Sequence, residues 1–358
     1  MGLFLSLWYW WNFYWNNIST LSKFLLCCYK WINNNKLSLL KRRGDIISNQ
    51  KFVPLPFEDY AQSANSIFHF MQKSEYLRFI LLNWAIVPRY CIEKIEYLGI
   101  NNDGILFKEA AILQKCFCDI PIHKLTEKLL ITGVGEVYNS LSEDEKVEIL
   151  NNITHPDFYG SFAIAFSKGW GEKKKLQPVH YLNEESRYTA EFSKLFNDIL
   201  KSDEIIDEYS DDIINRLSFI KPIRGILNRK YDRNNIEKVD IEFLKNFHDE
   251  QEWRYVPSAD VLKGKKMESV IANPNVLKFD ISVINVNLMM EEYRSLWLEF
   301  NYDEIRYIIV PDSYSRTEII NTIMDIPSDK FENYDQELIQ KYIMISKILV
   351  LDEIRKDW

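Results

Sequence analysis

The chain has 358 residues, of which 47% are hydrophobic and 14% aromatic, with only 11 Gly and 11 Pro. This composition excludes a disordered or linker-rich protein and suffices for one large core or two modest ones. The formal net charge of −8 argues against a protein that binds nucleic acid over its whole surface, because neutralising phosphates requires a basic face. Nucleic acid is therefore not expected as the main partner.

The N-terminal 22 residues carry no charged side chain, and positions 3–15 read LFLSLWYWWNFYW. This run is too short for a membrane span, but Trp and Tyr favour the membrane interface and a basic segment follows. We therefore predict an aromatic leader and basic linker over residues 1–50, with peripheral membrane contact through residues 1–33 as one alternative. The others are a helix that covers a groove of the main domain, or a start codon placed too far upstream.

Residues 51–358 are predicted to form a single α+β domain. Ser74 is predicted to cap a helix that ends before Pro88, because apolar residues follow at helical spacing. Further along, short apolar runs predict strands at 115–122, 161–167 and 178–182. The acidic stretch 184–217 predicts a helical insertion, since its apolar residues share one helical face.

The last third of the chain is rich in β-forming residues at 252–256, 276–286 and 304–310, and residues 315–324 predict a helix after a Pro-Asp-Ser turn. The sequence contains no alternating βαβ series, no GxGxxG and no Walker lysine loop, which argues against a doubly wound nucleotide-binding fold. We predict an α+β fold with a mixed or antiparallel sheet core and flanking helices.

Five cysteines occur without a CxxC pair and without a His at zinc-finger spacing, so we expect reduced thiols and no metal site. Reduced thiols fit a cytoplasmic location. If the aromatic leader contacts lipid, the protein would be peripheral to the inner membrane. Asp119, before Ile120-Pro121, is predicted to cap a turn. Lys168 and the lysines at 173–175 form the best local basic patch, and the lysine run predicts a solvated hairpin tip.

Several short segments occur in a recognisable order. They are HF at 69–70, PRY at 88–90, FCDIP at 117–121, YG at 159–160, SKGW at 167–170, KP at 221–222 and EQEWRYVP at 250–257. This order resembles the AbiGi family of abortive phage resistance proteins from about residue 67 to the C-terminus, and FCDIP and EWRYVP are its specific parts. The aromatic leader lies outside the resemblance, and the stretch 184–217 is not distinctive enough to align.

The resemblance implies a bacterial phage-defence protein that acts as an antitoxin or sensor. Its partner would be a toxin encoded beside it or a phage-derived trigger protein, and it would bind this partner without turnover. If the aromatic leader contacts lipid, a third hypothesis is a membrane-tethered infection sensor.

An early His, a central aromatic residue and a late Glu-x-Glu-x-Arg also resemble, more weakly, the layout of ADP-ribosyltransferase folds. In that alternative the cofactor is NAD, and a carboxylate stabilises the oxocarbenium-like ribose that forms when the nicotinamide bond breaks. Glu252, with Glu250, would be catalytic. His69 would hold the adenosine ribose or phosphate, Tyr90 or Tyr159 would stack on nicotinamide, and Arg254 would pair with a phosphate or hold Glu250.

Each of these candidates also has a structural interpretation. His69 on an apolar strand is typical of a core histidine with satisfied hydrogen bonds. On one strand, Glu250, Glu252 and Arg254 would share a face because side chains repeat every two residues, which predicts an ion pair. Trp253 would then lie on the opposite face. The residues leave both interpretations open.

Overall fold

The computed structural model of the protein describes residues 63–357, except 103, 202–214, 234–236, 263–264, 266, 273–276, 278–279 and 332–333. The predicted aromatic leader and basic linker over 1–50, and the predicted membrane contact through 1–33, lie outside these residues. The described residues belong to one compact unit, Asp59–Trp358.

Strands and helices are interspersed along the chain. The strands are β1 (Ser66–Met71), β2 (Ala85–Ile86), β3 (Arg89–Lys94), β4 (Asn101–Asn102), β5 (Ile105–Leu106), β6 (Glu109–Phe117), β7 (Ile131–Val134), β8 (Phe162–Ser167), β9 (Gln177–Pro178), β10 (His180–Leu182), β11 (Ile220–Pro222), β12 (Arg224–Arg233), β13 (Glu237–Asn246), β14 (Trp253–Tyr255), β15 (Val270–Ile271), β16 (Leu298–Glu299), β17 (Ile305–Val310) and β18 (Ile348–Val350). The helices are α1 (Ser74–Asn83), α2 (Gly135–Asn139), α3 (Glu143–Asn152), α4 (His155–Tyr159), α5 (Lys168–Lys173), α6 (Arg187–Leu200), α7 (Ala259–Leu262), α8 (Asp280–Met289), α9 (Ser313–Met324), α10 (Tyr334–Ser346) and α11 (Leu351–Asp357).

Two sheets form the centre of the fold. The first has the order β1-β8-β17-β18, in which β18 runs parallel to β17 and the other pairs are antiparallel. The second has the order β15-β6-β14-β9, with β3 also paired to β6, and is antiparallel throughout. A bridge between Phe68 and Cys118 connects the two sheets. The predicted α+β class with a mixed or antiparallel core is therefore confirmed.

A third sheet, β12-β13-β7, is built on a long hairpin. Its inner face buries Ile241 and Phe243 of β13 against Leu141, Ile149 and Ile153 around α3. Alternate residues of β13 point inward, as the period of two in a strand requires. Lys245 occupies the next inward position, so this sheet brings a lysine into the interior.

The helices cover the sheets through apolar faces. In α1, Leu77, Ile80 and Leu81 are buried against Ile164 and Phe166 of β8, at the helical spacing that the sequence predicts. Ser74 is the first helical residue, after the N-cap Lys73, and its hydroxyl donates to Glu318, so the prediction that Ser74 caps the helix is wrong. No helix among the described residues is both long and apolar enough to span a membrane.

Several predicted elements differ from the observed ones. Residues 280–286 of the β-rich pattern at 276–286 lie on helix α8, so the strand prediction there is wrong. The strand predicted at 115–122 ends at Phe117. Lys173 ends helix α5, so the hairpin predicted at 173–175 is wrong, whereas Lys173 and Lys175 are exposed as expected for a solvated run. The predicted insertion contains α6 (Arg187–Leu200), and its residues 202–214 lie outside the described part.

Gly160 ends α4 in a backbone conformation that only glycine adopts readily, with φ 106° and ψ 157°. A Cβ at this position would lie 2.0 Å from the carbonyl oxygen of Met71. We therefore expect Gly160→Ala to lower the free energy of unfolding by about 3 kcal/mol, measured by urea denaturation. Gly169→Ala is the matched control because its Cβ would meet nothing within 4 Å. Equal stability of the two variants would contradict this assignment.

Candidate functional site

A left-handed turn brings Glu250 and Glu252 together before β14. Glu250 ends a 3-10 helix, Phe247–Glu250, and Gln251 follows in the left-handed region with φ 44° and ψ 53°. Glu252 immediately precedes β14. The expectation that Glu250 shares one strand with Glu252 and Arg254 is therefore wrong, because the turn at Gln251 interrupts the extended backbone.

Both carboxylate oxygens of Glu252 are held by cations. Oε1 accepts from Nε of Arg254 at 2.6 Å, and Oε2 accepts from Nζ of Lys221 at 2.8 Å. The backbone N–H of Glu252 donates to the hydroxyl of Tyr181 at 2.8 Å. Glu252 is 3% exposed. Its carboxylate is therefore buried and fully engaged within the protein.

Arg254 lies on β14 opposite Cys116 of β6 and is completely buried. Besides Glu252, its guanidinium donates to Oε1 of Glu93 at 2.9 Å and to the carbonyl oxygen of Ser218 at 2.9 Å. Arg254 thus joins β3, β14 and the segment before β11 through one side chain. On the other face of β14, Trp253 packs in the central core, as the alternation of the strand predicts.

Glu250 makes the second half of the same network. Its Oε1 accepts from Nζ of Lys245 and from the hydroxyl of Tyr159, and its Oε2 lies 3.5 Å from Nζ of Lys221. The ammonium of Lys245 also lies 4.7 Å from the centre of the Tyr159 ring. Tyr159 therefore contacts Glu250, the second carboxylate that the sequence analysis names as catalytic.

Glutamates and cations are balanced in this network, which we call the charge cluster. Its members are Glu93, Lys221, Lys245, Glu250, Glu252 and Arg254. Burial acts to raise the pKa of Glu252, yet Arg254 and Lys221 outweigh it and hold that pKa below its ordinary value. The pKa of Glu250 is likewise lowered, by Lys221 and Lys245 against the effect of burial. Both carboxylates are therefore ionised at neutral pH.

His69 lies at the centre of β1 and is buried. Its Nδ1 is 3.0 Å from the carbonyl oxygen of Cys116, and its ring lies 5.6 Å from that of Phe117. Burial, followed by the nearby charge of Lys115, lowers the pKa of His69 well below its ordinary value. Since a carbonyl oxygen can only accept, the neutral ring carries its proton on Nδ1. No hydrogen bond or ring contact joins His69 to Glu252 among the residues that the structure describes.

Tyr90 is separated from the charge cluster. Its ring packs in a second core with Leu113 and Trp297, and its hydroxyl donates to the carbonyl oxygen of Glu268. Burial and the nearby Glu268 raise the pKa of Tyr90 to about 12. The structure therefore brings Glu250, Glu252, Tyr159 and Arg254 together and places Tyr90 elsewhere.

Asp119 and Lys168 form a second buried ion pair, in which both side chains are almost inaccessible. The prediction that Asp119 simply caps a turn is therefore incomplete, and the prediction that Lys168 contributes to a basic surface patch is wrong. The pair joins the FCDIP and SKGW segments. The short segments that carry the family resemblance thus include buried polar residues that connect strands.

Lys221, Lys245 and His155 belong to this region although the sequence analysis assigned them no role. A signal for Lys245 existed, because it follows Ile241 and Phe243 on the buried face of a strand, where an unpaired ammonium would be unstable. Within the described residues, no group of three or more His, Cys, Asp or Glu side chains could hold a metal ion.

His155 is 1% exposed and packs between Phe70 and Tyr159, at ring distances of 4.6 and 4.5 Å. Burial, followed by the charge of Lys245, lowers its pKa from 6.5 to about 3. The unfolded chain then takes up a proton between these pH values that the folded chain does not. The stability contributed by neutral His155 is therefore complete above about pH 6.5 and is lost as the pH falls towards 3.

From this difference we expect His155→Phe to reduce the loss of stability between pH 7 and pH 5 by about 2 kcal/mol. Phenylalanine keeps both ring contacts and cannot titrate. Urea denaturation of both proteins at the two pH values tests this expectation. His123→Phe serves as a control because His123 is an exposed histidine. Identical pH dependence in wild type and His155→Phe would contradict the prediction.

Two comparisons with known proteins relate the chain to one family. The family model described as abortive phage resistance protein AbiGi, antitoxin, matches residues 147–311, which include all of the charge cluster except Glu93. The abortive phage resistance protein AbiGi of Lactococcus lactis subsp. cremoris is 31% identical over 280 residues, covering 76% of this chain and 100% of that relative. No solved structure matches the chain. The resemblance seen in the short segments is thereby confirmed, and the chain belongs to the AbiGi family of abortive phage resistance proteins.

Proposed function

We propose that this chain acts in the cytoplasm as the antitoxin of a phage-defence system, binding and restraining a partner toxin without turnover. The family model supports the proposal through its description as an antitoxin, and the relative through its name as an abortive phage resistance protein. The observation that carries the choice of binding over catalysis is the internal neutralisation of Glu252 by Arg254 and Lys221.

A carboxylate that stabilises an oxocarbenium-like ribose must contact the ribose hydroxyls of its substrate. Glu252 has no oxygen free for that contact, and its side chain is 4% exposed. Glu250 is similarly enclosed by Lys245, Lys221 and Tyr159. NAD binding at these carboxylates would require the charge cluster to open, which would leave buried charges unpaired.

A growth assay tests the proposal. Bacteria receive the toxin gene that neighbours this chain under one inducible promoter and the chain under a second promoter. We expect the toxin alone to arrest growth and the chain to restore it, with fewer phage plaques when both are expressed from their native locus. Failure of the wild-type chain to restore growth would overturn the antitoxin function.

An NAD assay tests the enzyme alternative directly. Purified chain is incubated with labelled NAD and cell extract, and both nicotinamide release and label transfer are followed. We expect neither. Release or transfer by the wild-type chain, lost in a folded Glu252→Gln variant, would instead establish an NAD-consuming enzyme and assign Glu252 as its catalytic carboxylate.

A further inference from the structure

Helix α8 is apolar on both its inner and its outer face. On the inner face, Val283, Val286 and Met290, which directly follows the helix, pack in the core that contains Tyr90. Ile284 and Leu288 are four residues apart and therefore share one helical face, and their exposure places this face outward. Ile284 is 54% exposed, Leu288 61% and the adjacent Met289 43%. We call these three residues the α8 apolar face.

Helix α8 is anchored to β3 by hydrogen bonds and an ion pair. The side-chain amide of Asn287 donates to the carbonyl oxygen of Tyr90 at 3.1 Å and accepts from its N–H at 2.6 Å. Asn287 therefore satisfies both backbone groups of Tyr90 on the edge of β3 that faces away from β6. Arg89 adds an ion pair with Glu291 at 2.6 Å. The α8 apolar face is thus presented by a helix with its inner side anchored, as a preorganised binding surface requires.

Negative charge borders the α8 apolar face at its C-terminal end. Glu291 and Glu292 follow the helix and are exposed. The carboxylate of Glu291 pairs with Arg89, whereas the carboxylate of Glu292 has no hydrogen-bond or ion-pair partner among the described residues. The C-terminus of a helix already carries partial negative charge, so acidic residues there are unfavourable for the helix itself. An unfavourable charge beside an exposed apolar stripe fits a partner that supplies positive charge.

We propose that the α8 apolar face is the surface through which this chain holds its toxin, and that it receives an amphipathic helix of the toxin with apolar residues on one side and Lys or Arg at its edge. This inference rests on the proposed antitoxin function. It uses the docking mode in which an apolar helix face is buried at spacings of three and four residues. The α8 helix lies within the range 147–311 that the family model matches.

A second exposed apolar face provides a matched control. Leu338 and Tyr342 of α10 are 46% and 57% exposed and are also four residues apart. They lie outside the range that the family model matches. Substitution by glutamine at either pair removes apolar surface while keeping a residue with good helix propensity, so both variants should fold. Thermal melting verifies this before binding is measured.

The binding probe is a fluorescein-labelled amphipathic peptide of about five helical turns, with leucines on one face and lysines on the other. Fluorescence anisotropy measures its affinity for the full chain. We expect Ile284→Gln/Leu288→Gln to weaken binding by about tenfold or more and Leu338→Gln/Tyr342→Gln to leave it within about twofold. A peptide with glutamates in place of lysines should bind about tenfold more weakly than the lysine peptide. Absence of binding, equal loss in both variants, or equal binding of the two peptides would overturn the inference.

The growth assay separates this inference from the function on which it rests. Loss of protection in Ile284→Gln/Leu288→Gln, with protection retained in Leu338→Gln/Tyr342→Gln, is the expected result. Protection by wild type and equally by the α8 variant would overturn the docking surface alone. Failure of the wild-type chain to protect would overturn the antitoxin function and, with it, the toxin as occupant of the α8 apolar face.

Discussion

Replacing Glu252 by glutamine is expected to lower the free energy of unfolding by about 3–5 kcal/mol, because removing one partner of a buried ion pair leaves the others without compensation. Arg254 would lose its partner at 2.6 Å and Lys221 its partner at 2.8 Å. The glutamine amide can still accept hydrogen bonds but carries no charge. The effect should therefore appear as a loss of stability in a protein that has the same fold.

Urea denaturation at neutral pH measures this effect. Glu96→Gln is the matched control, because Glu96 pairs with Lys108 at 3.7 Å on the surface and both side chains are mostly exposed. Exposed pairs contribute about 0–1 kcal/mol, so this variant should resemble the wild type. If Glu252→Gln unfolded at the wild-type urea concentration and yet lost phage defence, the carboxylate would have a chemical role.

Replacing Arg254 by methionine should also cost about 3–5 kcal/mol, because it removes the cation that two glutamates share. Glu252 would keep only Lys221 as a cationic partner, and Glu93 would lose its ion pair with Arg254 at 2.9 Å. The carbonyl oxygen of Ser218 would lose a donor as well. Arg254→Lys should be milder, at about 1–3 kcal/mol, since an ammonium keeps the charge but not the planar fork of donors.

The same urea measurement, made on both Arg254 variants, tests this ranking. Arg355→Met is the control, because Arg355 pairs with Asp352 at 3.3 Å and is 44% exposed. Its stability should stay within about 1 kcal/mol of the wild type. A methionine variant as stable as the wild type would show that the charge cluster contributes nothing net to folding.

Local patterns in the sequence predict much of the fold. The strand at 304–310 and the helix at 315–324 are observed as Ile305–Val310 and Ser313–Met324. The pattern at 276–286 misled the prediction because Val and Ile favour strands by intrinsic propensity. Helix α8 forms there because Val283, Val286 and Met290 share one helical face that packs against the core, and tertiary packing outweighs propensity.

Only those features of the candidate site that depend on neighbouring residues in the sequence could be predicted. The shared face of Glu252 and Arg254 follows from the period of a strand, and the predicted ion pair between them is confirmed at 2.6 Å. The left-handed turn at Gln251 contains no glycine, the residue that usually marks such a turn in a sequence. Lys221 lies 31 positions before Glu252, and Lys245 lies 5 positions before Glu250. Both lysines belong to sheets other than the one that contains β14. Their meeting depends on the tertiary fold, which single-sequence patterns do not encode.

We propose that this chain restrains its toxin by binding and not by turnover. Quantifying both proteins in cells that keep growing, while the ratio of chain to toxin is varied by graded induction, tests it most directly. A binding antitoxin acts by mass action, so growth should return only when the chain reaches about one copy per toxin. Full growth at about a tenth of the toxin's copy number would contradict binding and indicate that each chain inactivates many toxin molecules.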